Sequence, residues 1–121
     1  MSVEITNPWT GQVEYRYDYM DAAAVEQGMA KSASAFPLWS ALSLEQRGII
    51  LKRVATVLRT EKEKIAGIMS AEMGKLKREA LAEIEKSAAA CDYYAEHAID
   101  YLRDSNIKTE ASRSYVTYEP L

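Results

Sequence analysis

Lys77-Arg78-Glu79-Ala80-Leu81-Ala82-Glu83-Ile84-Glu85-Lys86-Ser87-Ala88-Ala89-Ala90-Cys91-Asp92-Tyr93-Tyr94-Ala95-Glu96-His97-Ala98-Ile99-Asp100-Tyr101-Leu102 carries the strongest structural signal in the chain. Leu81, Ile84, Ala88, Cys91, Ala95, Ala98 and Leu102 recur at spacings of three and four, which is the period of one helix face. Ala80, Tyr94 and Tyr101 trace a second, adjacent stripe. The helical pattern spans about residues 77–104, and at ~1.5 Å rise per residue it measures ~40 Å. A helix that long, apolar on two sides, needs more cover than short neighbours supply. Additional partner mass is therefore expected.

Three shorter helices precede it. Asp21 suits an N-cap, with Met20 and Val25 at the N′ and N4 positions of a hydrophobic staple. Val25, Met29, Ala33 and Phe36 line one face up to Pro37, which is expected to end the helix. Ser43 with Gln46 fits a capping box, and Ile50, Val54, Val57 and Leu58 share a stripe on the second helix. Thr60 with Glu63 fits another capping box, predicting a third helix with Ile65, Ile68 and Met69 inward and Gly74 as its C′ residue.

Strands are expected at the two ends. Val13, Tyr15, Tyr17 and Tyr19 alternate with Glu14, Arg16 and Asp18, the two-residue period of a half-buried strand. Val3 and Ile5 offer a partner strand across the turn Asn7-Pro8-Trp9-Thr10-Gly11. After a polar break at residues 105–112, Ser114-Tyr115-Val116-Thr117-Tyr118 reads as a strand. The fold class is α+β: an N-terminal β-hairpin, four helices and a C-terminal strand.

Composition excludes several functions. The chain has 121 residues, 48% hydrophobic and 27% charged, which suits one globular domain. Fifteen basic against 18 acidic side chains leave a net charge of −3, the wrong sign for a nucleic-acid or anionic-membrane binder. One cysteine, Cys91, cannot form an internal disulfide, and no run approaches the ~20 apolar residues of a membrane span. The start at Met1 has neither the basic nor the apolar region of a signal peptide, so a cytoplasmic location is expected.

No arrangement of residues here carries catalysis unaided. Gly11, Gly28, Gly48, Gly67 and Gly74 stand singly, so no glycine-rich loop cradles a phosphate. His97 is the only histidine, which precludes a two-histidine metal site or a hydrolase triad with a spare base. Cys91 falls mid-helix on the apolar stripe, where a thiol packs as a small hydrophobe rather than serving as an activated nucleophile. Glu72, Glu79 and Glu83 lie among Lys75, Lys77 and Lys86, the pattern of a solvated, ion-paired face. Tyrosines of the first strand and the pair Tyr93-Tyr94 lack an adjoining basic patch, which favours packing over base stacking. The expected catalytic, cofactor-binding and metal-binding residues are none.

Five ordered motifs resemble the N-terminal segment of the aldehyde dehydrogenase superfamily. They are Asn7-Pro8-Trp9-Thr10-Gly11, Phe36-Pro37-Leu38-Trp39, and Glu72-Met73-Gly74-Lys75 with Glu79-Ala80 and Glu83. Cys91-Asp92-Tyr93-Tyr94-Ala95-Glu96-His97 and Ser114-Tyr115-Val116-Thr117-Tyr118-Glu119-Pro120-Leu121 look closest to the NAD-dependent succinate-semialdehyde branch. The resemblance implies a much longer enzyme that oxidises an aldehyde to an acid with NAD or NADP. A cysteine thiolate would attack the carbonyl, a glutamate would activate water, and an asparagine with a backbone N–H would hold the oxyanion. Cys91 does not match the nucleophile's motif, and the other catalytic residues would follow Leu121.

On that resemblance, residues 1–112 are the outer hairpin-plus-helices part of the cofactor-binding domain, and residues 113–121 begin the bridging strand that joins subunits. The long helix would flank the aldehyde tunnel. The chain is then expected to be an inactive N-terminal fragment that binds no cofactor by itself. Self-association, or pairing with an intact dehydrogenase subunit, is expected through Tyr115, Val116, Tyr118 and the 77–104 helix. The rival reading is a stand-alone helical protein-interaction module.

Overall fold

Period-two alternation at the N-terminus produces an antiparallel hairpin in the computed structural model, which describes residues 2–119. Strand β1 (Ser2–Thr6) pairs with β2 (Val13–Asp18), placing Val3 opposite Tyr17 and Ile5 opposite Tyr15, with a register shift at Ile5/Thr6. The turn is built around Asn7, whose Oδ1 accepts from the N–H groups of Trp9 at 2.8 Å and Thr10 at 3.3 Å. Its Nδ2 donates to Glu14 Oε1 at 2.7 Å, which satisfies a side chain that is otherwise buried. Gly11 closes the turn at φ +70°, a value disfavoured for residues with a Cβ. The expected half-buried face of β2 is absent, because every residue of that strand is exposed. The hairpin meets the helices at its turn, where Pro8 and Trp9 stand against Gly74, and through Tyr17, which donates to Glu72.

Helix α1 (Ala22–Ser40) starts where Asp21 accepts from the Ala24 N–H at 2.7 Å. Met20 stays exposed, so no staple is buried there. Pro37 does not end the helix as expected. Proline forfeits only its own bond to the preceding turn, and the chain continues to Ser40. The Pro37 carbonyl then accepts from both the Ala41 N–H and Ser40 Oγ at 3.2 Å, closing a last turn. No residue of α1 is buried.

Helix α2 (Leu44–Thr60) opens on the full capping box: Gln46 N–H donates to Ser43 Oγ, and Gln46 Oε1 accepts from the Ser43 N–H. Its inward face differs from the expected stripe. Gly48 and Ala55 are buried and Leu58 half-buried, whereas Ile50, Val54 and Val57 are exposed. Thr60 caps nothing; its hydroxyl donates back to the Thr56 carbonyl inside α2. Helix α3 (Lys62–Met73) follows at once from Glu61 with no side-chain cap, and Gly74 ends it at φ +66°.

Helix α4 (Lys77–Leu102) is the long element, and its stripe is the one read from the spacing except at Leu102, which is exposed. Ile84 and Ala88 are buried, while Leu81, Cys91, Ala95 and Ala98 are half-buried. Ala80 is buried, but Tyr94 and Tyr101 on the second stripe are exposed. Gly48 with Ala95, Lys52 with Glu96, and Arg59 with Asp92 and Glu85 pair α2 to α4 in opposite directions, so the two helices run antiparallel. Ala66, Ala80 and Ile84 form the core beneath α3, flanked by Leu58, Ile65, Met69 and Leu81.

The polar stretch 105–112 contains an unexpected strand. β3 (Ser105–Asn106) pairs antiparallel with β4 (Tyr115–Val116), and the Ile107 N–H donates to the Ser114 carbonyl at 2.8 Å. The terminal strand is thus shorter than expected and already paired on one edge. Pro120 and Leu121, which close the terminal motif, lie outside the described residues.

Candidate functional site

Small side chains let α2 and α4 approach closely, and a cleft opens beside the contact. It measures about 180 Å³ and is bounded by Trp39, Leu44, Leu51, Tyr94, Leu102 and Arg47. Arg47 also borders a neighbouring cleft of about 200 Å³ with Leu44, Leu102, Tyr118 and Glu119. Its Nε is buried with no hydrogen-bond partner among the described residues. A buried guanidinium donor in an apolar setting attracts an anionic or carbonyl oxygen. Among the described residues Glu119 is the one carboxylate lining these clefts, and no Ser, Thr, Cys, His or Lys lines either of them, so the arrangement offers binding groups but no nucleophile paired with a base.

The residues weighed from sequence are dispersed. Cys91 is half-buried on α4 between buried Ala88 and half-buried Ala95, a packing position. His97 is exposed; its ring centroid lies 4.4 Å from that of Tyr93 and 6.5 Å from that of Tyr101. Tyr93 and Tyr101 share a hydroxyl hydrogen bond, which, with desolvation, holds the Tyr101 phenol above its ordinary pKa. Glu72 accepts from Tyr17 at 3.4 Å, Glu83 pairs with Lys75, and Glu79 stands exposed in the first turn of α4. The three carboxylates therefore serve three different surroundings. Among the described residues no three His, Cys, Asp or Glu side chains gather to hold a metal ion.

Two features escaped the spacing argument. Arg59 bridges the helices, donating from Nε to Glu85 and from Nη1 to Asp92, each at 2.8 Å. Those bonds hold its guanidinium pKa above the ordinary value, Glu85 first. The seven-residue interval between Glu85 and Asp92 was the available signal. Arg47 carried a fainter one, lying between Leu44 and Leu51 on the inward face of α2.

Each helix N-terminus carries a carboxylate. Asp21 caps α1, and Glu45, Glu63 and Glu79 occupy the first turns of α2, α3 and α4. A helix start attracts phosphate through free N–H groups and a positive dipole end, and a fixed carboxylate there opposes a second anion. No helix is long and apolar enough to cross a membrane among the described residues.

Comparison with known proteins extends along this whole architecture. The model of the aldehyde dehydrogenase family matches residues 1–121. A protein of Synechocystis sp. named as a probable NADP(+) succinate-semialdehyde dehydrogenase is 33% identical over 121 residues, covering 100% of this chain and 27% of its own length. The Escherichia coli NAD(P)+ succinate semialdehyde dehydrogenase Sad is 31% identical over 115 residues, 95% of this chain and 25% of that protein. The solved Streptococcus pyogenes succinic semialdehyde dehydrogenase, in complex with NADP+ as the cofactor, superposes with a TM-score of 0.87 at 30% identity, covering 94% of this chain and 25% of that one. The chain spans about a quarter of the length of the relatives it matches.

Proposed function

Because this chain belongs to the aldehyde dehydrogenase family, we propose that it is the N-terminal part of an NAD(P)-dependent enzyme oxidising succinate semialdehyde to the dicarboxylic acid. The observation that carries this reading is the 33% identity over all 121 residues with a relative named for that activity. In this reading residues 1–112 are the outer part of the cofactor-binding domain and residues 113–121 begin the bridging strand. The chain supplies scaffold: α2, α3 and α4 form a packed unit, and the hairpin rests on the α3–α4 junction through Gly74. Cofactor contacts, thiolate, base and oxyanion donors belong to other parts of the enzyme, so this chain alone neither binds NAD(P) nor turns over aldehyde. Its place is the cytoplasm, in keeping with a lone cysteine. Tyr115, Val116, Tyr118 and α4 are the surfaces through which it meets another subunit.

The longest reading frame containing this sequence, expressed and supplied with succinate semialdehyde and either NAD+ or NADP+, is expected to produce reduced nicotinamide. It should prefer that substrate to acetaldehyde, whereas the 121-residue chain should be silent. Aldehyde-dependent reduction by the 121-residue chain, abolished by Cys91→Ser, would overturn the scaffold reading. A preference of the longer protein for uncharged aldehydes would overturn the substrate.

A further inference from the structure

Arg47 lines an apolar cleft, and its Nε is buried with no hydrogen-bond partner among the described residues. On α4, Glu96 is taken by Lys52 at 3.1 Å and Asp100 sits 3.8 Å from Arg103. Glu45, on α2 itself, is held below its ordinary pKa by a hydrogen bond from Ser43. Glu119 lines the neighbouring cleft without forming an ion pair with Arg47. The buried Nε–H of a half-buried guanidinium, with the neighbouring Nη–H beside it, has the fork geometry that a carboxylate matches in two bonds. The remaining walls, Trp39, Leu44, Leu51, Tyr94 and Leu102, accept aliphatic side chains. Two further observations point to the source. This chain covers 27% of the length of its Synechocystis relative, and its fold superposes over 94% of its own length on one quarter of a larger enzyme.

We propose that the Arg47 cleft seats a polypeptide segment from the part of the family fold lying outside this chain, presenting an acidic side chain to the guanidinium and flanking apolar side chains to the cleft walls. The proposal rests on family membership and is independent of the substrate. Arg47 is thereby a docking residue, with no part in the chemistry.

The first test uses the 121-residue chain and carboxylate probes of increasing apolar length. Hexanoate should shift the Arg47 Nε–H nuclear magnetic resonance at least tenfold more effectively than acetate, and hexanol should leave it unmoved. Equal responses to acetate and hexanoate, or no response to either, would overturn the proposal. The second test compares the isolated chain with a chimaera joining it to the part of the Synechocystis relative that follows the matched stretch. Arg47→Met should leave the urea midpoint of the isolated chain unchanged or higher, yet lower the thermal midpoint of the chimaera by several degrees. Arg47→Lys should recover only part of that loss, because an ammonium lacks the planar fork. The same shift in both proteins would overturn the assignment. So would loss of self-association of the isolated chain on Arg47→Met, since the occupant would then be a second copy.

Discussion

Gly48 faces the main chain of Ala95: a methyl group on its α-carbon would stand 2.9 Å from the Ala95 carbonyl oxygen. Backbone cannot rotate aside as a side chain can, so α2 and α4 would have to part. Overpacking costs ~1–3 kcal/mol, and the better helix propensity of alanine returns about 1 kcal/mol. Gly48→Ala is therefore expected to lower the unfolding free energy by about 1 kcal/mol. Gly67 has open space around its α-carbon, and Gly67→Ala should raise stability by ~0.5–1 kcal/mol. Urea unfolding followed by circular dichroism reads both signs.

Gly74 couples a backbone requirement to a tertiary contact. At φ +66° a side chain is strained, and its Cβ would lie 2.8 Å from Pro8 Cγ. Gly74→Ala should cost ~1–2 kcal/mol from the left-handed conformation alone. It should also displace the hairpin turn, visible as amide shift changes at Asn7 and Trp9. Changes confined to α3 and α4 would mean that the hairpin does not rest there.

Lys77 Nζ stands 2.9 Å from Glu63 Oε2, and its hydrogen bond, then its charge, holds the Glu63 carboxyl below its ordinary value. A carboxyl lowered in the folded state is protonated first in the unfolded chain. Its stabilisation is present above the unfolded carboxylate value and disappears as the pH falls through the folded one. Lys77→Met should thus be less stable than the parent near neutrality and should converge with it in acid. Both side chains are exposed, so high salt should also narrow the difference.

The β3–β4 ribbon satisfies one edge of Tyr115–Val116, and among the described residues no strand pairs with the other edge. With Tyr115, Val116 and Tyr118 exposed, that edge is a template for pairing between chains. Light scattering coupled to size exclusion should show dimers or larger species, weakened by Val116→Pro. A sharp 13.6 kDa monomer at high concentration for both proteins would overturn the expectation.

Periodicity read the helices well wherever packing obeyed it. Leu81, Ile84 and Ala88 fall on the buried side of α4 because one continuous helix face meets α3 and α2 in turn. On α2 the same reasoning chose the more hydrophobic stripe, Ile50, Val54 and Val57. Contact selected the smaller one, since Gly48 and Ala55 permit the backbones to approach. Thr60 could not be read locally, because α2 and α3 are separated by a single residue and the threonine is spent on α2. Strand β3 exists only through its partner and has no periodicity of its own. The Arg47 cleft was hidden for a related reason: an arginine on a helix is read as surface until three elements converge around it.

Among the described residues the fully buried apolar positions are Ala55, Ala66, Ala80 and Ala88, with Ile84 at 4% exposure the one larger buried side chain. Methyl groups bring helix axes close but remove little hydrocarbon from water. The heat capacity increment on unfolding scales with that hydrocarbon and is ~12–15 cal/mol/K per residue in compact domains. This chain should fall below that range, giving a flat stability curve and a broad, shallow calorimetric endotherm.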